Sequence, residues 1–342
     1  MPHAMLYRLR PAGPWRPGSE TGSREQVDPV LHSDTLFSAI TGAMDRLGWL
    51  EEWLQATVRE EASPAVRFSS LFPYIEHLLL APAPGHLWPP VSTNRLRASG
   101  ARLIPVQLTG KLAQGGPWSE DEWEVDGVSG CLQRRSRKNT GPYRFVVRSH
   151  AAVDRWSGET LAHSTACVEF AANAGLWGVA VFDGDEWPAR VEACLRLLAD
   201  TGLGGRRSIG WGQFTVEKVE QGDLQELLWG RRQVQAEAVE GEAVPQPAEN
   251  AWWLLSMFRP AEEEAIDWNR GCYQTAVRGG RVESAAGWGA SKKMVRMIAE
   301  GSVLTGSQPL GSAVDVAPEG FAHPVYRFGF AVTVPIPWRG NA

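Results

Sequence analysis

Apolar and polar residues alternate over 5–9, so the chain is expected to open on a half-buried strand. A loop rich in Pro and Gly follows over 11–29. The period then lengthens: Leu36, Phe37, Ile40, Met44 and Leu47 recur at helical spacing behind Ser33, the expected N-cap, and Gly48 ends the helix. A second helix is expected over 49–60, before Pro64. Residues 66–72 and 75–80 fit a pair of strands. Over 86–141 the pattern breaks into Pro, Gly and charged residues, too long for an ordinary connection. Alternation resumes over 143–149, 167–170 and 176–182. An amphipathic helix over 185–200 carries Val191, Cys194, Leu195 and Leu198 behind Pro188, and a strand with Phe214, Val216 and Val219 follows. Strand, helix, strands, helix, strand is the order of a split βαβ, ferredoxin-like sheet, here with a large insertion in its middle. Beyond a polar stretch, 241–250 with Pro245 and Pro247 fits a linker. Further strands are expected over 252–258, 292–298 and 325–334, the last with Tyr326, Phe328, Phe330, Val332 and Val334 on one face. The pattern predicts an α+β protein of two domains, 1–240 and 251–342, the second smaller and β-rich.

Between the helix over 185–200 and the strand after it lies Thr201-Gly-Leu-Gly-Gly-Arg-Arg-Ser-Ile-Gly-Trp-Gly-Gln-Phe214, with five glycines over 202–212. Glycine lets backbone N–H groups crowd against an anion that side chains would keep away. The order helix, loop, strand is the reverse of a dinucleotide fold or a P-loop, and Gly-Lys-Ser/Thr is missing. Arg206, Arg207 and Ser208, with the amides of Gly204, Gly205 and Gly210, suit a phosphate-rich ligand. Trp211 is equally a stacking face for a base or a packing anchor. Together they suit a single-stranded nucleic-acid backbone, a glycine C-cap with a solvated turn being the plainer alternative.

A formal net charge of −5 argues against a sequence-blind nucleic-acid coat, but the charge is unevenly spread. Over 131–155 the basic residues are Arg134, Arg135, Arg137, Lys138, Arg144, Arg148 and Arg155, against Asp154 alone. Arg148 and Arg155 are candidates for RNA contact or for surface salt bridges. Arg134, Arg135, Arg137 and Lys138 are RNA ligands, a basic edge for a neighbouring protein, or solvated. His32, Ser33 and Asp34, where a helix begins, form a natural anion or base-edge site, with plain capping as the alternative. Lys292, Lys293 and Arg327 are lesser candidates. Cys131, Cys167, Cys194 and Cys272 form no metal-ligand spacing with the seven histidines and are expected to be buried free thiols. No DxD or histidine cluster calls for a metal, so no cofactor is expected. No apolar run approaches a membrane span, and a soluble cytoplasmic protein is expected.

The glycine loop resembles that of the RAMP superfamily, the ferredoxin-like RNA-binding subunits of CRISPR systems. Leu31-His-Ser-Asp-Thr-Leu-Phe-Ser-Ala-Ile40 is similar to the first-helix motif of its type III members. Val153-Asp-Arg-Trp-Ser-Gly-Glu159, Ala299-Glu-Gly-Ser-Val-Leu304 and Glu319-Gly-Phe-Ala-His-Pro-Val-Tyr-Arg-Phe-Gly329 narrow the likeness to the type III-A (Csm) subunits that cap the 5′ end of the CRISPR RNA. The resemblance implies two ferredoxin-like (RRM-like) domains packed together, the second degenerate. It implies that 86–141 is a thumb, a hairpin wedged beside a flipped nucleotide where handle meets guide. It implies binding without catalysis, in antiviral defence. Such a subunit holds the repeat-derived 5′ handle, docks the large polymerase/cyclase-like subunit and starts the filament of repeated backbone subunits. Two other readings stay open. One is a metal-independent endoribonuclease that matures CRISPR RNA, with His32 as general base; the other is a scaffold that touches only protein.

Overall fold

The computed structural model describes residues 3–18, 25–59, 63–90, 93, 100–136, 140–230, 250–284 and 287–338. Of the expected linker only Asn250 lies within them. The first strand, β1 (His3–Pro11), leads to α1 (Ser33–Arg46) and α2 (Leu50–Leu54), which a π turn over Gln55–Arg59 extends. The next segment forms three strands where two were expected: β2 (Val66–Phe68), β3 (Phe72–Ile75) and β4 (Leu78–Pro82). Buried serines divide it. Ser69 exchanges hydrogen bonds with Val179, and the Ser70 N–H donates to the Leu255 carbonyl, which pulls the chain out of the ladder.

Among its described residues the insertion forms several short elements rather than one protruding hairpin. It contains β5 (Leu103–Pro105), α3 (Val106–Ala113), and a ribbon of β6 (Trp123–Val125) and β7 (Leu132–Arg134). It extends the main sheet through β5 on β4 and encloses a small core of Trp88, Ile104, Leu108, Leu112 and Leu132. Elements this short carry too few residues for a legible period. The long hairpin comes after it, as β8 (Tyr143–Val153) and β9 (Thr160–Phe170), paired from Tyr143↔Phe170 to Val153↔Thr160. Its tip is exposed on both faces, so no buried stripe marks it in the sequence. At the turn, Asp154 accepts the N–H groups of Trp156 and Ser157, both at 2.8 Å, and Gly158 takes the left-handed conformation at φ 72°.

Next come β10 (Ala174–Phe182), α4 (Trp187–Thr201), β11 (Phe214–Asp223) and α5 (Leu224–Trp229). The sheet order is β11-β1-β10-β3-β4-β5, with β2 also on β10. All nine residues of β10 are buried, as an unbroken apolar run with both faces covered requires. On one face Leu176, Ala180 and Phe182 join Met5, Tyr7 and Leu9 against α1 and α4. On the other, Trp177, Val179 and Val181 meet Trp253, Val303, Val332 and Val334 of the C-terminal half.

That half contains β12 (Asn250–Leu254), β13 (Ile266–Cys272), β14 (Thr275–Arg278), β15 (Arg281–Ser284), β16 (Gly287–Ser291), β17 (Val295–Ile298), β18 (Val303–Gly306), β19 (Ala313–Asp315), β20 (Tyr326–Phe328) and β21 (Thr333–Pro337). Its sheet runs β13-β18-β12-β21, and β14·β17, β15·β16 and β19·β20 form separate ribbons. Among its described residues there is no helix. The long strand expected over 325–334 is two strands, because its side chains serve two cores: Phe328 and Phe330 reach the α1 side, Val332 and Val334 the reverse face of the main sheet. Phe37 of α1 stacks on Phe328 at 4.2 Å between ring centroids. Cys131, Cys167 and Cys194 are buried free thiols, whereas Cys272, at the end of an edge strand, is exposed. Among the described residues no helix is long and apolar enough to cross a membrane.

Candidate nucleic-acid interface

The glycine loop is locked rather than open. Leu203 N–H donates to the Gly212 carbonyl (2.9 Å), Gly212 N–H to Pro14 (2.9 Å) and Gly205 N–H to Arg16 (2.7 Å). Gly202, Gly204, Gly210 and Gly212 all have φ near +80°, and a Cβ on Gly204 or Gly212 would run into the carbonyl of Arg16 or of Leu203. The expectation of an amide cradle is therefore corrected: the Gly205 amide is spent on Arg16 and the Gly210 amide on Arg207 (3.0 Å), and Gly204 is a close-packing position. The glycines bring backbones together, which leaves side chains as the candidate anion ligands.

Those side chains gather where the loop meets the base of the β8–β9 hairpin. The hairpin is two-faced, since alternate residues point to opposite sides. One face carries Arg144, Arg148 and His150, with Glu169, Thr165 and His163 opposite them; the other carries Phe145, Val147, Ala151 and Val153. Arg206, itself left-handed at φ 62°, reaches His163 Nε2 from Nη2 at 3.0 Å. The guanidiniums of Arg206 and Arg148 sit 5.7 and 5.8 Å from the Trp211 ring centroid, with the His150 ring at 6.0 Å. Trp211 is only 5% exposed. Of the two readings of Trp211 the structure selects the packing anchor, because arginines cover the face a base would need.

Glu169 binds Arg148 at 2.6 Å and Arg144 at 2.8 Å, and Arg207 pairs with Glu283 of β15. Ser208 and Gly210 are exposed at the rim of the loop. Arg155 is exposed at the hairpin tip beside Trp156, itself 99% exposed. Arg134 and Arg135 belong to the insertion, where Arg134 lies over Trp123 and the Arg135 N–H donates to the Glu122 carbonyl. Arg137 and Lys138 lie outside the described residues. Partial burial and the nearby Arg206, His163 and Arg148 hold His150 below the ordinary histidine range.

His32, Ser33 and Asp34 are not an open helix start. Ser33 is the first residue of α1 rather than its cap, and its Oγ accepts the Met257 N–H at 3.0 Å. Asp34 has no exposed side-chain surface and takes Arg278 through both oxygens (3.0 and 3.1 Å) and Arg327 as well. His32 Nδ1 lies 2.8 Å from Glu300, which also accepts the Ser70 hydroxyl, and Nε2 lies 3.7 Å from Asp28. Three acids thus meet three bases between α1 and the C-terminal half. The helix motif and both C-terminal motifs meet here, holding the two halves together, with none of the three acting as an accessible ligand site.

Burial opposes the charge on His32, but Glu300 and Asp28 override it and raise its pKa to about 10. Burial also opposes ionisation of Asp34, yet Arg278 and Arg327 hold it well below the usual carboxylate range. Because the folded pKa of His32 exceeds its unfolded value of about 6.5, its stabilisation is complete below about pH 6.5 and is lost as pH rises toward 10. Asp34, depressed, stabilises fully above about pH 4 and progressively less as pH falls below that. The thermal midpoint is expected to fall between about pH 6.5 and 10, and His32→Gln is expected to flatten that fall. Equal slopes in both proteins would contradict the assignment.

Sequence reasoning missed Arg16, His150, His163, Glu169 and Glu283. Arg16 Nη1 donates to the Ala166 carbonyl at 2.6 Å while its own carbonyl takes the Gly205 N–H, so it fastens hairpin to loop. The two histidines were findable: once 154–159 is taken as a turn, equal spacing puts His150 opposite His163. Glu283 pairs with Arg207 across the two halves, and nothing local signals it.

A family model for the CRISPR Csm4 C-terminal domain matches residues 247–336. The curated Csm4 protein of Methanocaldococcus jannaschii is 24% identical over 245 residues, covering 60% of this chain and 63% of that protein, a little under two thirds of its length. A chain of the Csm3–Csm4 subcomplex of the type III-A interference complex superposes with TM-score 0.58 at 15% identity, covering 99% of this chain and 100% of that one. A chain of the Csm1–Csm4 cassette in complex with cA4 gives 0.57 at 17% identity, covering 98% of each. Both are similar to this chain in fold from end to end, and the family model covers the segment with both C-terminal motifs, so residues 247–336 match a Csm4 C-terminal domain and the chain as a whole is similar to Csm4 proteins.

Proposed function

We propose that this chain is the non-catalytic subunit that holds and caps the repeat-derived 5′ handle of the CRISPR RNA, in the cytoplasm, and bridges the large subunit to the backbone filament. The observation that carries the reading is the junction of hairpin and glycine loop: Arg148 and Arg206 are fixed over Trp211, with Arg207 and Ser208 on the rim. Guanidiniums held this way suit phosphates, which position a strand, and the exposed tip with Arg155 and Trp156 suits a wedge between bases. The thumb of this reading is β8–β9, downstream of the 86–141 segment first considered for it.

The proposed architecture is two ferredoxin-like domains, 1–240 and 251–342. It is supported by the strand order β11-β1-β10-β3 with α1 and α4 as crossovers, and by the same order, β21-β12-β18-β13, in the second sheet without helices. The solved Csm1–Csm4 and Csm3–Csm4 complexes to which this chain is similar support a large-subunit partner and a backbone partner. The apolar outer face of the hairpin, with Phe145, Val147 and Val153 exposed, fits a protein neighbour. A nuclease based on His32 is disfavoured, because an imidazole protonated at neutral pH is no general base.

In salt titrations with handle RNA, Arg148→Ala with Arg206→Ala is expected to weaken binding about tenfold or more per guanidinium. The slope of log affinity against log salt should become shallower by about 0.7 per lost phosphate contact, with the RNA recovered intact. Unchanged affinity and slope would remove the reading.

A further inference from the structure

The described arginines of the junction all have acceptors in the free chain. Glu169 holds Arg144 and Arg148, Glu283 holds Arg207, and His163 takes Arg206. Resting on the RNA reading above, we propose that Glu169 and Glu283 are specificity-determining residues: they occupy the phosphate positions until an RNA backbone displaces them. A carboxylate and a phosphate offer a guanidinium the same forked acceptor geometry, so one can replace the other without moving the arginine.

The energetics favour exchange. The side chains of Arg144, Arg148 and Arg207 are 71, 44 and 32% exposed, and those of Glu169 and Glu283 are 22 and 57%. Pairs this exposed contribute little to stability, weak enough for a phosphodiester to break. The carboxylates do not vanish on displacement; they stay nearby and repel a polyanion. A strand that engages both arginine sets in register recovers that cost, whereas one that reaches a single set bears the repulsion and gains half the contacts. Four arginines against two glutamates leave a local charge of only +2, in keeping with a chain of net charge −5 that attracts no nucleic acid at long range. Glu283 adds a mechanical element. It stands on β15 in the C-terminal half, while Arg207 stands in the glycine loop, so releasing the pair unfastens a strap between the halves.

The test compares Glu169→Gln, Glu283→Gln and the double variant for affinity to two probes of equal length, an RNA with the repeat-derived 5′ handle and oligouridine. Each substitution is expected to raise oligouridine affinity about 3–10-fold at low salt, roughly one unit of charge repulsion removed, and to narrow the preference for handle RNA. The gain from Glu283→Gln should disappear in an Arg207→Ala background. Were the glutamates only props for the arginines, both glutamines would weaken binding to both probes. That result, or unchanged affinity at unchanged melting temperature, overturns the proposal. If Arg148→Ala with Arg206→Ala also leaves binding untouched, the RNA reading of this face fails; if those weaken binding and the glutamines do not strengthen it, only the exchange fails.

Discussion

Replacing Asp34 by alanine is expected to destabilise the chain by about 3–5 kcal/mol, read as a lower urea midpoint at unchanged m-value. The carboxylate is fully buried and faces Arg278 and Arg327, whose side chains are 8 and 6% exposed. Removing it leaves two guanidiniums without their anion in a dry interface. The charges have nowhere to go, because arginine does not deprotonate in proteins. Asp34→Asn, which keeps the shape and an acceptor oxygen, should cost less. Asp34→Leu combined with Arg278→Met and Arg327→Met should recover much of the loss, since an apolar cluster of similar volume removes the charges together. A small effect of Asp34→Ala would mean that the halves are held by their apolar contacts alone.

The second large effect is expected at Gly212, where alanine should destabilise by about 2–5 kcal/mol. Its φ of +78° costs an L-residue about 1–2 kcal/mol, and a Cβ there meets the Leu203 carbonyl, an overpacking of about 1–3 kcal/mol. The loop cannot yield freely, because Gly212 both donates to Pro14 and accepts from Leu203. Gly205→Ala is the internal control: its nearest neighbour, Arg16 Cδ, would be 3.6 Å away and its φ is not left-handed, so thermal denaturation should show little change. Similar losses at both positions would mean that the loop needs glycine for general flexibility rather than for backbone contact at particular residues.

Both results bear on how the chemistry was legible. Arg206, Arg207 and Ser208 stood out because glycine and cation are neighbours in the chain, and the structure keeps all three at or near the surface of the junction. His32, Ser33 and Asp34 stood out for the same local reason, polar residues at a helix start, yet they are internal. What consumes them, Arg278, Glu300, Arg327 and the Met257 amide, lies more than 220 residues away in sequence. A helix start meeting solvent and one meeting a buried arginine have the same local sequence.

Period and composition determined the positions of β1, α1, α4, β10 and β11, because each buries a stripe or a whole surface against the core and so carries its own repeat. They also determined the glycine loop between helix and strand. Only the tertiary structure decided which residues the loop works with. The outer part of the β8–β9 hairpin is exposed on both faces and imposes no hydrophobic period, so its length and its two faces emerge only in register. Likewise the split of 325–334 into β20 and β21 follows from two cores on opposite sides of one segment, a demand that no local pattern contains. Burial leaves its period in the sequence; contacts between distant charges leave none, and here those contacts decide which polar residues hold the fold and which stay at the surface.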